Sequence, residues 1–541
     1  MSIIDRLPTD APAADITVIG SGPAGLAVAL ACADAGRSVL VLESGQRGDD
    51  RGVAALSDAE IVDPDRHMLM ALAVRRGLGG TSSWWGGRAV PLDEVDFSPR
   101  FTAQGASWPI AYGDMVLEHA AAAEFFGLGS AQFEAPSGDF VLPDGVRTTD
   151  LEAWCPEINV ARLHKRRLEA VGGPCILVGA TVVGLEFSDT GCVVGLEIAT
   201  PDGRRKLATK AVVIACGGLE TTRLLLVAQR AHPHLFGGPN GPLGRYYMGH
   251  ISGKIASLAL TRSSDAEYFD FSREPGRAFV RRRVTFEKQT LIDHGIQNVS
   301  FWFDNPPFYD ATHRSGILSL VYLALLFPPV GRRILSEAVR ISHTGPPPRR
   351  YLAHAWNIFG APLETASTAL RILHERYSPQ SRKPGFIIRN SAARYALHYH
   401  GEQRPNAESR VTLANSVDAL GMPRLKIDLR YAKEDVASII AAHDHLANAL
   451  AESGKGRLDF WDAPGDRARR VEDQARDGFH QIGTTRMSAK PEEGVTDGDC
   501  RVHGLDNLYV ASSSVFPTSG QANPTFATVA LALRLAQHLC R

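Results

Sequence analysis

The sequence predicts a Rossmann-like α/β domain joined to an α+β unit built on an antiparallel sheet. Three observations predict it: a glycine-punctuated strand–helix–strand pattern near the N-terminus, a stretch of alternating apolar and polar residues in mid-chain, and a strand–loop–helix pattern at the C-terminus.

Residues 16–19 (ITVI) are a short β-branched run, suited to a buried parallel strand. Gly20, Gly22 and Gly25 follow at the dinucleotide-binding spacing, with Pro23 and Ala24 among them. The first glycine allows a tight turn, the second lets backbone approach a pyrophosphate, and the third lets the next helix sit close to the strand. Residues 26–35 are rich in alanine and leucine, good helix formers, and Gly36 ends them. A second apolar strand spans 38–42, and Glu43 stands at its tip, placed to accept hydrogen bonds from a ribose diol. The helix N-terminus offers N–H groups and partial positive charge to the pyrophosphate. The pattern leaves FAD and NAD both open.

A chain of 541 residues implies two or more substructures. The composition, 44% hydrophobic and 22% charged with a formal net charge of −1, is that of a soluble globular protein and carries no basic excess for nucleic acid. Seven scattered cysteines with no CxxC pair read as thiols in a reducing compartment. The first fourteen residues lack the signature of a signal peptide, so a cytoplasmic protein is expected. Residues 316–330 form an apolar run of about fifteen residues, short of the ~20 that a membrane span needs. A buried helix is expected there. The arginines at 332, 333, 340, 349 and 350 leave open a weak contact with an anionic membrane surface.

Residues 75–96 place five glycines and several hydroxyl residues around Trp84 and Trp85, which predicts a ligand-covering loop. An alanine-rich helix is expected near 112–126, an irregular stretch over 127–160, and a basic helix over 161–170. Residues 174–215 read as strands and turns returning to a buried strand at 211–215, followed by a helix over 220–230. Residues 255–260, 278–286 and 297–303 alternate as an antiparallel sheet does, and 385–388, 396–400, 411–413 and 424–430 read as further strands. Residues 304–383 are proline-rich, basic and partly helical. An amphipathic helix spans 433–453. The aromatics Trp302, Phe303, Phe308, Tyr309, Tyr351, Trp356 and Phe359 suit either a sugar-stacking surface or a core, and core is expected for most. His398 and His400 share one strand face, and His503 reads as structural. No cluster has metal-ligand spacing.

At the C-terminus a short strand at 508–511 leads into a turn-rich loop, and Pro524 is expected at the first position of a buried helix reaching about residue 539. That helix's N-terminus, at Asn523–Thr525, presents positive charge to whatever lies against it.

These residues together resemble the glucose–methanol–choline (GMC) flavin oxidoreductases, closer to pyranose-oxidase-like bacterial members than to the aryl-alcohol or cholesterol enzymes. The matching pieces are the GSGPAG loop with Glu43, Gly79-Gly80-Thr81-Ser82 before Trp85-Gly86-Gly87, Trp108-Pro109-Ile110, and Gly217-Gly218 through Thr222-Arg223. Further matches are Glu402-Gln403 with Asn406, residues 410–413, His480 through Thr484, and Ser519-Gly520 through Thr525. The resemblance implies an FAD domain of glutathione-reductase type over 13–92, 165–254 and 478–541, and a substrate domain over 93–164 and 255–477. It implies FAD contacts from Gly20, Gly22, Pro23, Ala24, Gly25, Glu43, Ser44, Gly80, Thr81, Ser82, Trp85, Gly86, Val182, Cys216, Gly217, Ser514, Asn523, Pro524 and Thr525. It also implies His480 and Asn523 as the catalytic pair: hydride passes from a CH–OH carbon to flavin N5 while histidine takes the hydroxyl proton. Some members tether flavin through a histidine where this chain has Trp84, so noncovalent FAD is expected. The implied substrate is a small alcohol, most simply a sugar or glycoside, with oxygen, a quinone or a carrier protein as electron acceptor. A lipid-linked alcohol and a non-redox lyase on the same fold stay open.

Overall fold

Six parallel strands form the sheet that the glycine pattern anticipates. Their order is Ile3–Ile4, Cys175–Val178, Val39–Glu43, Ile16–Ile19, Ala211–Ile214 and Leu508–Val510. The computed structural model describes the chain except residues 1–2, 7–12, 49, 102–104, 275, 335–336, 346–348, 379–382 and 389–392. The strand after the 174–215 excursion thus does rejoin the first sheet. Ile16–Ile19 and Val39–Glu43 are buried throughout, as strands covered on both faces must be.

The first helix, Pro23–Asp34, packs against the last, Thr525–Cys540. Gly25 makes the first turn possible: a Cβ there would lie 2.0 Å from the Gly20 carbonyl oxygen. Pro524 is the cap of the last helix rather than its first residue. This core also takes in Trp108, Phe125 and Phe126.

A four-stranded antiparallel sheet carries the second core. Its order is Val299–Asp304, Arg394–Glu402, His250–Leu260 and Gly456–Phe460, and the helix Lys433–Glu452 covers it through Ile439, Ala442 and Leu446. A smaller antiparallel sheet of Phe279–Arg282, Leu151–Trp154 and Arg88–Ala89 connects the glycine-rich loop to this region.

Four expectations are corrected. Residues 127–160 are not irregular throughout, because Leu151–Trp154 pairs on both sides. The helix expected over 112–126 is two, Tyr112–Val116 and His119–Phe125. Residues 385–388 form no strand. Of the seven named aromatics, Trp302 and Phe303 are core, whereas Tyr309, Tyr351, Trp356 and Phe359 are exposed. Of the apolar run at 316–330, Gly316–Leu326 form a helix with Ile317, Leu318, Tyr322 and Leu325 inside, whereas Leu320, Phe327 and Val330 are exposed. No helix among the described residues is long and apolar enough to cross a membrane.

Candidate active site

One cavity of about 2060 Å³ runs from the glycine turn to the C-terminal helix. That is about twice the upper volume of an ordinary small-ligand pocket, room for a dinucleotide and a substrate together. Gly20, Gly22, Pro23, Ala24, Glu43, Ser44, Gly80, Thr81, Ser82, Trp85, Gly86, Val182, Cys216, Gly217, His480, Asn523, Pro524 and Thr525 all line it. Two expected residues do not. Gly25 lies behind the turn, packed on Gly20. Ser514 is fully buried with its hydroxyl 2.6 Å from that of Thr485, and its neighbours Ser512 and Ser513 reach the cavity instead.

The cradle fits a dinucleotide. A Cβ on Gly22 would meet nothing within 4 Å, so the cavity comes right up to the backbone there. A Cβ on Gly80 would lie 2.9 Å from the Gly22 Cα, so the second glycine loop closes on the first. Glu43 is buried, and its carboxylate accepts from the Ser21 N–H and hydroxyl and from the Gly45 and Gly77 N–H groups, which fixes it at the strand tip. Trp85 is pinned by its indole N–H to the Ile158 carbonyl at 2.8 Å, while Trp84 is half exposed at the cavity edge.

At the other end a chain of side chains crosses the cavity wall. The Asp477 carboxylate accepts from the backbone N–H groups of Gly478, Phe479 and His250, which locks it in place. Its Oδ2 lies 3.0 Å from His480 Nδ1. A carboxylate there selects the tautomer with the proton on Nδ1 and leaves Nε2 bare. Asn523 Nδ2 donates to that Nε2 at 2.9 Å, and its Oδ1 accepts from Arg88 Nη1 at 2.8 Å. Burial alone would raise the Asp477 carboxyl, but the charges and hydrogen bonds of His480 and His250 hold it well below the usual carboxylate range.

Three of these partners were not foreseen. Asp477 lies three residues before His480, outside the motifs singled out in the sequence. His250 opens a strand of the second sheet and brings its Nδ1 to 3.0 Å from His480 Nδ1. Arg88 was hidden in the glycine-rich loop. His400, expected only on a strand face, stacks on His250 with ring centres 4.3 Å apart and places Nδ1 2.6 Å from the Gln521 carbonyl. Burial pushes both His250 and His400 below the ordinary histidine range. His250, His400 and His480 offer nitrogens within 4.8 Å of one another, a grouping that sequence spacing did not reveal. His503 is structural as read, with Nε2 3.1 Å from the Ser488 carbonyl.

Residues 405–532 match the model of the GMC oxidoreductase family, and residues 15–72 match an FAD-binding domain. The chain belongs to the GMC oxidoreductases. This GMC oxidoreductase is 22% identical to 2-methyl-1,2-propanediol dehydrogenase of Mycolicibacterium austroafricanum, over 98% of its own length and 96% of the relative's. It is 34% identical to C-glycoside 3-oxidase of Microbacterium trichothecenolyticum over 25% of its length and 24% of that protein's. Pyridoxine 4-oxidase from Mesorbium loti has the same fold, with a TM-score of 0.54, 16% identity, and coverage of 97% of this chain and 98% of that one. The protein is an FAD-dependent oxidoreductase acting on CH–OH groups.

Proposed function

We propose that His480 is the base of this oxidation, that Asn523 orients the reacting hydroxyl, and that the donor is a sugar or glycoside. The observation that carries the reading is the chain Asp477–His480–Asn523 in the cavity wall, which presents an unprotonated Nε2 beside an amide donor. FAD, when bound, supplies the acceptor for the two electrons of the CH–OH group. A substrate hydroxyl entering beside Asn523 meets a donor for its oxygen and an acceptor for its proton. His480 Nε2 takes that proton, and Asp477 stabilises the imidazolium that results. Gly20, Gly22, Glu43 and the 80–86 loop hold the dinucleotide. With Trp84 at the tethering position, the FAD is held without a covalent bond. The two-domain division given above is kept as part of this reading, as is a cytoplasmic location for a chain whose seven thiols are all free.

Sugar is favoured over a lipid-linked alcohol by the C-glycoside relative. Anaerobic addition of glycosides, free sugars and small diols to the yellow protein tests the reading. Bleaching by a glycoside or sugar supports it, and bleaching by long-chain alcohols alone overturns the sugar assignment. Recovery of colour in air or only with a quinone then identifies the acceptor.

A contact with an anionic membrane surface is favoured by one observation. The helices Tyr351–Gly360 and Pro362–Tyr377 expose Leu352 (88%), Trp356 (81%), Phe359 (77%) and Leu363 (86%) near the exposed Arg349, Arg350 and Arg371. Apolar anchors with a basic flank suit an anionic bilayer. The proposed contact lies in these two helices, C-terminal to the run at 316–330. Flotation with vesicles containing phosphatidylserine, and not with neutral vesicles, is the expected result; no flotation with either removes the contact.

A further inference from the structure

The three-stranded sheet beside the catalytic pair gathers more positive charge than it balances. Arg281 stands opposite Glu152 in the strand register, and Arg88 enters from the neighbouring strand. Glu152 is fully buried and takes ion pairs from both Arg88 and Arg281. Arg283, also buried, donates to Gln521 Oε1 at 2.8 Å. Three guanidinium groups therefore share one carboxylate. Asp93, Asp96 and Glu402 are clustered with Arg100 on the far side of Gln521, the Asp150 carboxylate is taken by Arg147 and Thr285, and none of these four acids lines the cavity. Lys254, Asp304 and His398 form a group of their own.

Arg88 is the member that reaches the cavity. Its Nε is taken by Glu152 and its Nη1 by Asn523, and its plane lies over the Trp302 ring at 4.4 Å. Its Nη2 is buried without a hydrogen-bond partner. A buried cationic donor left unpaired is costly, and because Arg88 already lines the cavity, a small turn of its guanidinium brings Nη2 to a ligand there. Arg283 Nε is a second buried nitrogen of the cluster without a partner, but only Arg88 Nη2 belongs to a residue of the cavity wall, on the same guanidinium that holds the Asn523 amide.

We infer that Arg88 is a substrate-binding residue for an anion, and that the donor is a hydroxy acid or sugar acid whose carboxylate sits beside its reacting CH–OH group. The inference rests on the assignment of Asn523 and His480 as the catalytic pair and narrows the sugar class to acidic members. A neutral sugar hydroxyl can accept from Nη2, but it leaves the surplus charge of the cluster uncompensated in a low-dielectric wall.

The test is calorimetric titration of the FAD-loaded protein with acetate and with acetamide, followed in parallel by the flavin difference spectrum. Acetate is expected to bind about tenfold to a hundredfold more tightly than its neutral isostere, and Arg88→Gln to abolish that preference while Arg88→Lys keeps part of it. Equal binding of acetate and acetamide to the wild type, or an unchanged preference in Arg88→Gln, overturns the proposal. The wild-type comparison decides even if the variants do not fold. Because it needs no turnover, a protein bleached by neutral alcohols that shows no preference for acetate sinks this inference and leaves the catalytic pair standing.

Discussion

His480 Nε2 and the Asn523 amide nitrogen stand 2.9 Å apart, although the two residues come from different segments: one follows the Asp477 turn and the other immediately precedes the cap of the last helix. The amide is fixed from its other end by Arg88, so its N–H points at the imidazole and not away from it. Replacing His480 by alanine removes the proton acceptor and leaves the cradle untouched. Turnover is expected to fall about 10²–10⁴-fold, with FAD content, read from the absorbance of the purified protein, unchanged.

Asp477 acts through His480. Asn at this position keeps the shape and, through its one oxygen, the acceptor for the Gly478 and Phe479 N–H groups, but the amide nitrogen in place of Oδ2 accepts neither from the His250 N–H nor from His480, so the proton is no longer held on Nδ1. Asp477→Asn is expected to lower kcat roughly a hundredfold or more with KM little changed. A steady-state comparison of the two constants checks this, since a general loosening of the site would raise KM as well.

The two glycines of the turn separate folding from cofactor binding. A Cβ at Gly22 meets open cavity, whereas one at Gly25 runs into the Gly20 carbonyl at 2.0 Å. Gly22→Ala is expected to fold normally and bind FAD weakly. Gly25→Ala is expected to cost about 2 kcal/mol or more of stability. Thermal melts of the FAD-free forms, together with FAD titrations, distinguish them.

Acid stability has a named contributor in the second core. His443 is fully buried under the antiparallel sheet, its Nδ1 donating to the Ile439 carbonyl, and burial pushes it down to about 4 from 6.5. As pH falls below 6.5 the unfolded chain takes up a proton that the folded one refuses. The stability is therefore complete above pH 6.5 and is lost as pH drops towards 4. His443→Leu is expected to remove a slope of up to about 1.4 kcal/mol per pH unit in that window, measured by urea unfolding across the range.

Much of this was legible in the sequence because local pattern and tertiary role coincide there. The Gly20–Gly25 turn, Glu43 at its strand tip and the helix after Asn523 are each written in consecutive residues. His480 was reachable through its neighbours and Asn523. The rest depends on register between distant strands. Nothing near Glu152 signals that Arg88 and Arg281 converge on it, because the pairing of Leu151–Trp154 with strands on both sides carries that information. The position of His250 follows likewise from the strand that it opens, and its isolated sequence context is mute. The exposure of Tyr351, Trp356 and Phe359 was misjudged because aromatic residues read as core unless their packing is seen.

The most direct measurement is anaerobic single-turnover reduction, wild type against His480→Ala, with a donor that bleaches the wild type. The account predicts rapid loss of the yellow colour in the wild type and a variant that keeps both its FAD and its colour over the same time. A variant that bleaches as fast as the wild type would contradict it.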